Sequence, residues 1–151
     1  MTQPRLFAYV EQVKADHAEM RNVHRHLLKT VEQAEKSLWS VPEITLLIDA
    51  LYETRDHLEK HFHQEEIGGY LEEALAMAPR LTPQANILRK QHEELYQTID
   101  GLAGDSEGAR LNPTAWPDLV ARIRELIKQL AAHEAAENQL VQQAFNIDFG
   151  A

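Results

Sequence analysis

The sequence predicts an all-α fold, an antiparallel up-down-up-down four-helix bundle, and three observations predict it. Proline and glycine punctuate the chain at only a few places and leave four long helix-compatible stretches. Each stretch repeats its apolar residues at the spacing of one helical face. No segment alternates apolar and polar residues in the manner of a half-buried strand. Short connections between long helices force antiparallel neighbours.

The first helix is expected over about residues 4–36, with Pro4 in its first turn, a position that suits proline because the missing N–H is not needed there. Ser40-Val41-Pro42-Glu43 reads as the next start, with Ser40 as N-cap and Glu43 reaching back in a capping box. The second helix then runs over about 42–77 and is stopped by Pro79; Gly68-Gly69 inside it predicts a kink or an irregular turn. Thr82-Pro83 repeats the start signal for a third helix over about 83–101. The glycine-rich run from Gly101 to Gly108 is expected to be the one real loop. Asn112-Pro113 opens a fourth helix over about 113–145.

With 151 residues and 17.3 kDa, the expectation is a single domain over 1–151. A composition 44% hydrophobic and 26% charged excludes a disordered chain. The absence of cysteine removes disulfides, thiolate catalysis, Fe–S clusters and Cys-type zinc sites together. A net charge of −9 argues against nucleic acid or an anionic membrane as partner. The longest apolar run, Ala74 to Ala78, is far too short to cross a bilayer. No long apolar segment follows Met1-Thr2-Gln3-Pro4-Arg5, so no secretory signal is expected and the chain reads as cytoplasmic. The unusual count is histidine, of which there are eight.

Those histidines fall on the apolar faces. Around the first helix Leu6, Val10, Val13, His17, His24, Leu28 and Val31 share a line. The second aligns Leu47, Thr54, His57, His61, Glu65 and Leu75; the third aligns Leu81, Ala85, Leu88, His92, Tyr96 and Ile99. The fourth aligns Leu119, Leu126, His133, Glu137, Leu140 and Ala144. Every helix therefore puts a histidine in its core face, and two helices add a carboxylate one turn later. Unpaired buried imidazoles and carboxylates cost several kcal/mol each, about the size of a small domain's whole stability, so they must be paired or bind a metal. His-x-x-x-Glu sets both side chains on one helical face, within reach of one ion or of two adjacent ions. Mixed imidazole and carboxylate ligation suits iron, manganese or zinc; six ligands are too many for one catalytic zinc, and two metals bridged by the carboxylates would use all six.

The order His17, then His61-Phe62-His63-Gln64-Glu65-Glu66, then His92, then His133-Glu134-Ala135-Ala136-Glu137 resembles the hemerythrin-like (HHE cation-binding) family from about residue 10 to 145. The His-Phe-x-x-Glu-Glu element is the most specific piece. The resemblance implies a pair of irons, oxo- or hydroxo-bridged, with His17, His61, His92 and His133 as terminal ligands and Glu65 and Glu137 as bridges. Family members that carry dioxygen have a second histidine four residues after the third-helix one, where this chain has Tyr96, and close the fourth helix with His-x-x-x-x-Asp rather than His133-x-x-x-Glu137. The match is to the branch with four histidines and two glutamates, whose members are bacterial stress and nitric-oxide-related proteins.

The resemblance thus implies a non-haem di-iron protein that reacts with hydrogen peroxide or nitric oxide, or with dioxygen, in stress defence. A catalase-like or nitric-oxide-consuming peroxidase activity would follow. The alternative is a metal- or oxygen-sensing module without turnover. A ferritin-like oxidase needs Glu-x-x-His pairs, and this chain has none.

Three further polar residues, Tyr96, His57 and His24, are expected on one side of the metal pair, where they could line the ligand pocket as proton donors or hydrogen-bond partners. His24 and His57 read as pocket groups, metal ligands or satisfied core groups, and Tyr96 as a core aromatic, a hydrogen bonder or an iron phenolate. His26 and His63 point off the stripes, and Glu66, Glu93, Glu94 and Glu134 read as the solvated face. Trp39 and Trp116, near helix starts, are expected to cap the core.

Overall fold

The computed structural model describes residues 3–66 and 69–146. Five α-helices make up the bundle: α1 Gln3–Lys36, α2 Val41–Glu66, α3 Tyr70–Met77, α4 Thr82–Gly108 and α5 Trp116–Phe145. Short 3-10 turns at Pro79–Leu81 and Pro113–Ala115 lead into α4 and α5. The four long helices close a ring in which α1 and α4 each pack against both α2 and α5, while α3 leans on α2 and α5. Among the described residues there is no strand.

The second expected helix is two helices. Gly69 sits at the N-cap of α3 with extended backbone angles (φ −90°, ψ −169°). A Cβ at Gly69 would fall 1.7 Å from the Gln64 carbonyl oxygen, so only glycine lets the chain pass this close to the end of α2. The expected irregularity at Gly68 lies outside the described residues.

The expected loop at 101–108 is helix. Leu102, Ala103 and Ser106 continue the buried stripe begun at Leu95 and Ile99, while Gly101, Gly104 and Gly108 lie on the exposed face. Each interior glycine costs about 1 kcal/mol relative to alanine, whereas full burial of a leucine returns about 1.5–3 kcal/mol. Two contacts pin this last stretch to its neighbours: Arg122 donates to Asp105 at 2.9 Å, and the Tyr52 hydroxyl donates to Glu107. Tertiary burial therefore carries α4 through a segment whose propensity alone opposes it.

At this end of the bundle, the α1–α2 connection places Leu38 (φ 53°) and Trp39 (φ 64°) in the left-handed region. Trp39 N–H bonds the Ala34 carbonyl at 3.0 Å, and its ring stacks on Trp116 with centroids 6.4 Å apart. Trp116 is fully buried and donates its indole N–H to Ala109 O at 3.0 Å, so both tryptophans close the core as expected. The Ser40 N–H is taken by the Ser37 hydroxyl at 3.2 Å, the role the expected capping box gives to Glu43.

Two apolar regions flank a polar middle. The larger contains Leu27, Ile44, Leu51, Leu102, Trp116 and Leu126 among others, and the smaller contains Leu71, Ala74, Leu81, Leu88 and Leu140. Followed along the chain, α4 and α5 each leave one region and join the other, crossing at His92 and at His133 and Glu137. By contrast, α2 carries the larger region as far as Phe62, ends just past His61 and Glu65, and hands over to α3, which carries the smaller one. On α1 His17 stands between Met20 of the larger region and Val13, which packs with Val141 in a third, small apolar cluster.

Candidate metal centre

Four helices deliver six buried side chains to one place: His17 from α1, His61 and Glu65 from α2, His92 from α4, and His133 and Glu137 from α5. Their donor atoms fall into two overlapping sets, each within 4.8 Å: His17, His61, Glu65 and Glu137, and Glu65, His92, His133 and Glu137. Both carboxylates belong to both sets. Glu65, fully buried, divides its oxygens between them, with Oε1 2.5 Å from His61 Nε2 and Oε2 2.8 Å from His92 Nε2. Glu137 Oε1 lies 2.8 Å from His133 Nε2. The His-x-x-x-Glu spacing produces this directly, since residues four apart stand one above the other on a helix.

The far nitrogens of two imidazoles are anchored. His92 Nδ1 lies 3.1 Å from Glu66 Oε1, and His133 Nδ1 lies 2.7 Å from Gln91 Oε1. A carboxylate or amide oxygen only accepts, so both Nδ1 atoms carry the proton and both Nε2 atoms turn a lone pair inward. Those Nε2 atoms are buried and make no hydrogen bond, despite carboxylate oxygens 2.8 Å away. Lone pairs facing one another at that distance repel, and a cation between them reverses the sign. Six nitrogen and oxygen donors suit iron, manganese or zinc, so the residues fit a bound cation. Phe62 stacks on His92 with ring centroids 4.0 Å apart and fixes the ring's plane.

Burial, reinforced by the neighbouring His61 imidazole, lowers His17 to about 4; burial and His92 do the same for His133. Burial opposes the charge on Glu65, but its bonds with Glu137 and His61 outweigh that and hold the carboxyl well below the usual range. His17 and His133 are therefore neutral and Glu65 ionised near pH 7, the protonation states that bind metal. A pH dependence follows. The folded values near 4 lie below the unfolded value of about 6.5, so between those limits the unfolded chain takes up protons that the folded chain refuses. Stability is full above about pH 6.5 and is lost towards pH 4, at up to about 1.4 kcal/mol per pH unit for each such imidazole. Urea titrations of metal-free protein should show a midpoint that falls between pH 7 and pH 5; a constant midpoint would contradict these assignments.

The three residues expected to line one ligand pocket lie in different places: His24 beside the centre, Tyr96 in a groove that reaches His92 from outside, and His57 on a helix seam. His24 joins Met20, Leu58, Phe62 and Leu130 around a cavity of about 10 Å³ that His61, His133 and Glu137 also line. Its Nε2 is buried without a hydrogen bond, and burial followed by the nearby His61 lowers its pKa to about 4. His57 is half-buried on the α1–α2 seam, its Nδ1 3.6 Å from Glu19. Tyr96 is half-buried in a groove between α2 and α4 with Glu59, His63, Glu66 and Arg89. One turn beyond a core histidine, each has rotated far enough to meet a seam rather than the centre.

His26, His63, Glu93 and Glu94 are exposed as expected. Glu66 and Glu134 are not simply solvated. Glu66 reaches inward to His92, and Glu134, at the rim of the His24 cavity, is bound by Arg21 at 2.7 Å. Gln91 was not distinguished by the stripes at all. Its only signal is adjacency to His92, as that of Glu66 is adjacency to Glu65.

A helical bundle that gathers imidazoles and carboxylates from all four of its long helices into one buried cluster is a metal-binding module. A family model for the hemerythrin HHE cation-binding domain matches residues 8–145, and the chain belongs to that family. No curated protein and no solved structure matches it. Among the described residues, no helix is long and apolar enough to cross a membrane.

Proposed function

We propose that the protein holds two iron ions and uses them to consume hydrogen peroxide or nitric oxide in stress defence. The observation that carries this reading is the sharing of both carboxylates by two donor sets, with Glu65 giving one oxygen to the His61 side and the other to the His92 side. His17 and His61 would hold one iron, His92 and His133 the other, and Glu65 and Glu137 would join them. When bound, the pair supplies Lewis acidity and two-electron redox chemistry.

The chain's own residues supply the rest. Met20, Leu58, Phe62 and Leu130 line the His24 cavity with apolar surface, and its roughly 10 Å³ is about the space that one water-sized group needs. His24 presents a half-buried neutral imidazole whose buried Nε2 is available to give or take a hydrogen bond or a proton. Catalase-like turnover converts two peroxides to two waters and dioxygen and needs no outside reductant. Nitric oxide reduction needs an electron donor.

The test is iron analysis of the purified protein, then addition of peroxide to the di-ferric form and of nitric oxide or dioxygen to the di-ferrous form. Two irons per chain with consumption of peroxide or nitric oxide is the expected result. Iron without consumption would make the protein a sensing or binding module. A stable, reversible dioxygen adduct with no peroxide consumed would make it a carrier.

A further inference from the structure

We infer that Glu66 raises the donor strength of one of the two metal positions, acting through His92 as a positioning residue; the inference rests on the di-iron reading. Glu66 follows Glu65 in the chain, so the two carboxylates leave α2 about 100° apart and address opposite nitrogens of one imidazole. Glu65 Oε2 faces His92 Nε2 at 2.8 Å, and Glu66 Oε1 faces His92 Nδ1 at 3.1 Å. His92 is thus held between an oxygen in the centre and an oxygen from the groove between α2 and α4, where Glu66 is 39% exposed and Arg89 stands nearby.

The corresponding partner of His133 is the neutral amide of Gln91, at 2.7 Å. A carboxylate acceptor draws the Nδ1 proton towards itself and leaves more electron density on Nε2 than an amide does. The His92–His133 position accordingly holds one imidazole of raised donor strength, and Glu66 ties that strength to the surface groove. The iron held there favours the higher oxidation state, and the groove gives solvent a hydrogen-bonded path to one ligand.

The test compares Glu66→Gln with Glu66→Ala, since glutamine keeps an acceptor oxygen without the charge. In iron-loaded protein, Mössbauer spectra should show one of the two iron signals displaced in Glu66→Gln and the other unmoved. In Glu66→Ala the affinity for one of the two metals should fall about 10- to 100-fold, so that loading becomes stepwise. Signals unchanged in Glu66→Gln, or both displaced equally, would overturn the inference. A second readout needs no iron. In metal-free wild-type protein, ¹⁵N chemical shifts should place the His92 proton on Nδ1, with that preference lost in Glu66→Ala; a proton on Nε2 in the wild type would overturn it. Failure of the wild type to bind iron would fall on the di-iron reading alone, and the tautomer measurement would still decide the role of Glu66.

Discussion

Stripping metal from the protein with a chelator should lower its melting temperature by roughly 10 °C or more. The reason is linkage: an ion that binds only the folded chain adds its binding free energy to stability, about 4 kcal/mol per site at a thousandfold excess over the dissociation constant. For a chain of about 150 residues each kcal/mol moves the midpoint by roughly 2–4 °C. The structure adds a second reason. Without a cation the lone pairs of His92 and His133 Nε2 face carboxylate oxygens at 2.8 Å inside the bundle. Calorimetry before and after verified metal removal, and again after re-addition, makes the measurement. An unchanged melting curve would show that these donors hold nothing.

Replacing Glu65 by alanine should reduce bound iron well below two per chain, and Glu137→Ala should do the same. Glu65 serves both donor sets, so a single substitution removes one oxygen from each position at once. His17→Ala, by contrast, touches only the His17–His61 set. In the metal-free state the Glu65 variant should itself lose stability, because removing one partner of a buried polar pair leaves the others uncompensated, so its fold is checked by the helical signal. A loss of iron with the helical signal intact therefore separates a missing ligand from a misfolded chain. Retention of two irons with an unchanged spectrum would rule out the shared role.

The fold class and the six clustered residues were legible in the sequence because both follow from helical periodicity. A residue every three or four positions marks a core face whether it is valine or histidine, and the same register that buries Val13 and Ile99 buries His17 and His92. What depended on the third dimension was hidden. Gly101 to Gly108 reads as a loop because glycine disfavours helix locally, yet Leu102 and Ala103 have an apolar surface to meet and the helix continues. Glu66 and Gln91 lie off the stripes, and nothing in a one-dimensional pattern says that their flexible side chains bend back to an imidazole. Tyr96 and His57 show the width of a stripe. Each lies on a stripe by angle, but a stripe has width, and at its edge a side chain meets the seam between two helices.

The placing of the six polar residues between separate apolar regions bears on how the donors come together. The larger region contains Ile44, Leu47, Leu51, Leu102, Trp116 and Leu126, none of which takes part in the donor sets. Its burial can organise the bundle without an ion, at about 25 cal/mol for each Å² of apolar surface covered. The imidazoles and carboxylates are then brought face to face by side chains that have no affinity for metal. An arriving ion meets a preorganised cage rather than an unfolded chain, so little of its binding free energy is spent on ordering the backbone. This separates the protein from small metal-dependent domains in which the ion must also do the folding. Capture becomes a local event inside a finished scaffold, and the strength of binding is left to the donors themselves.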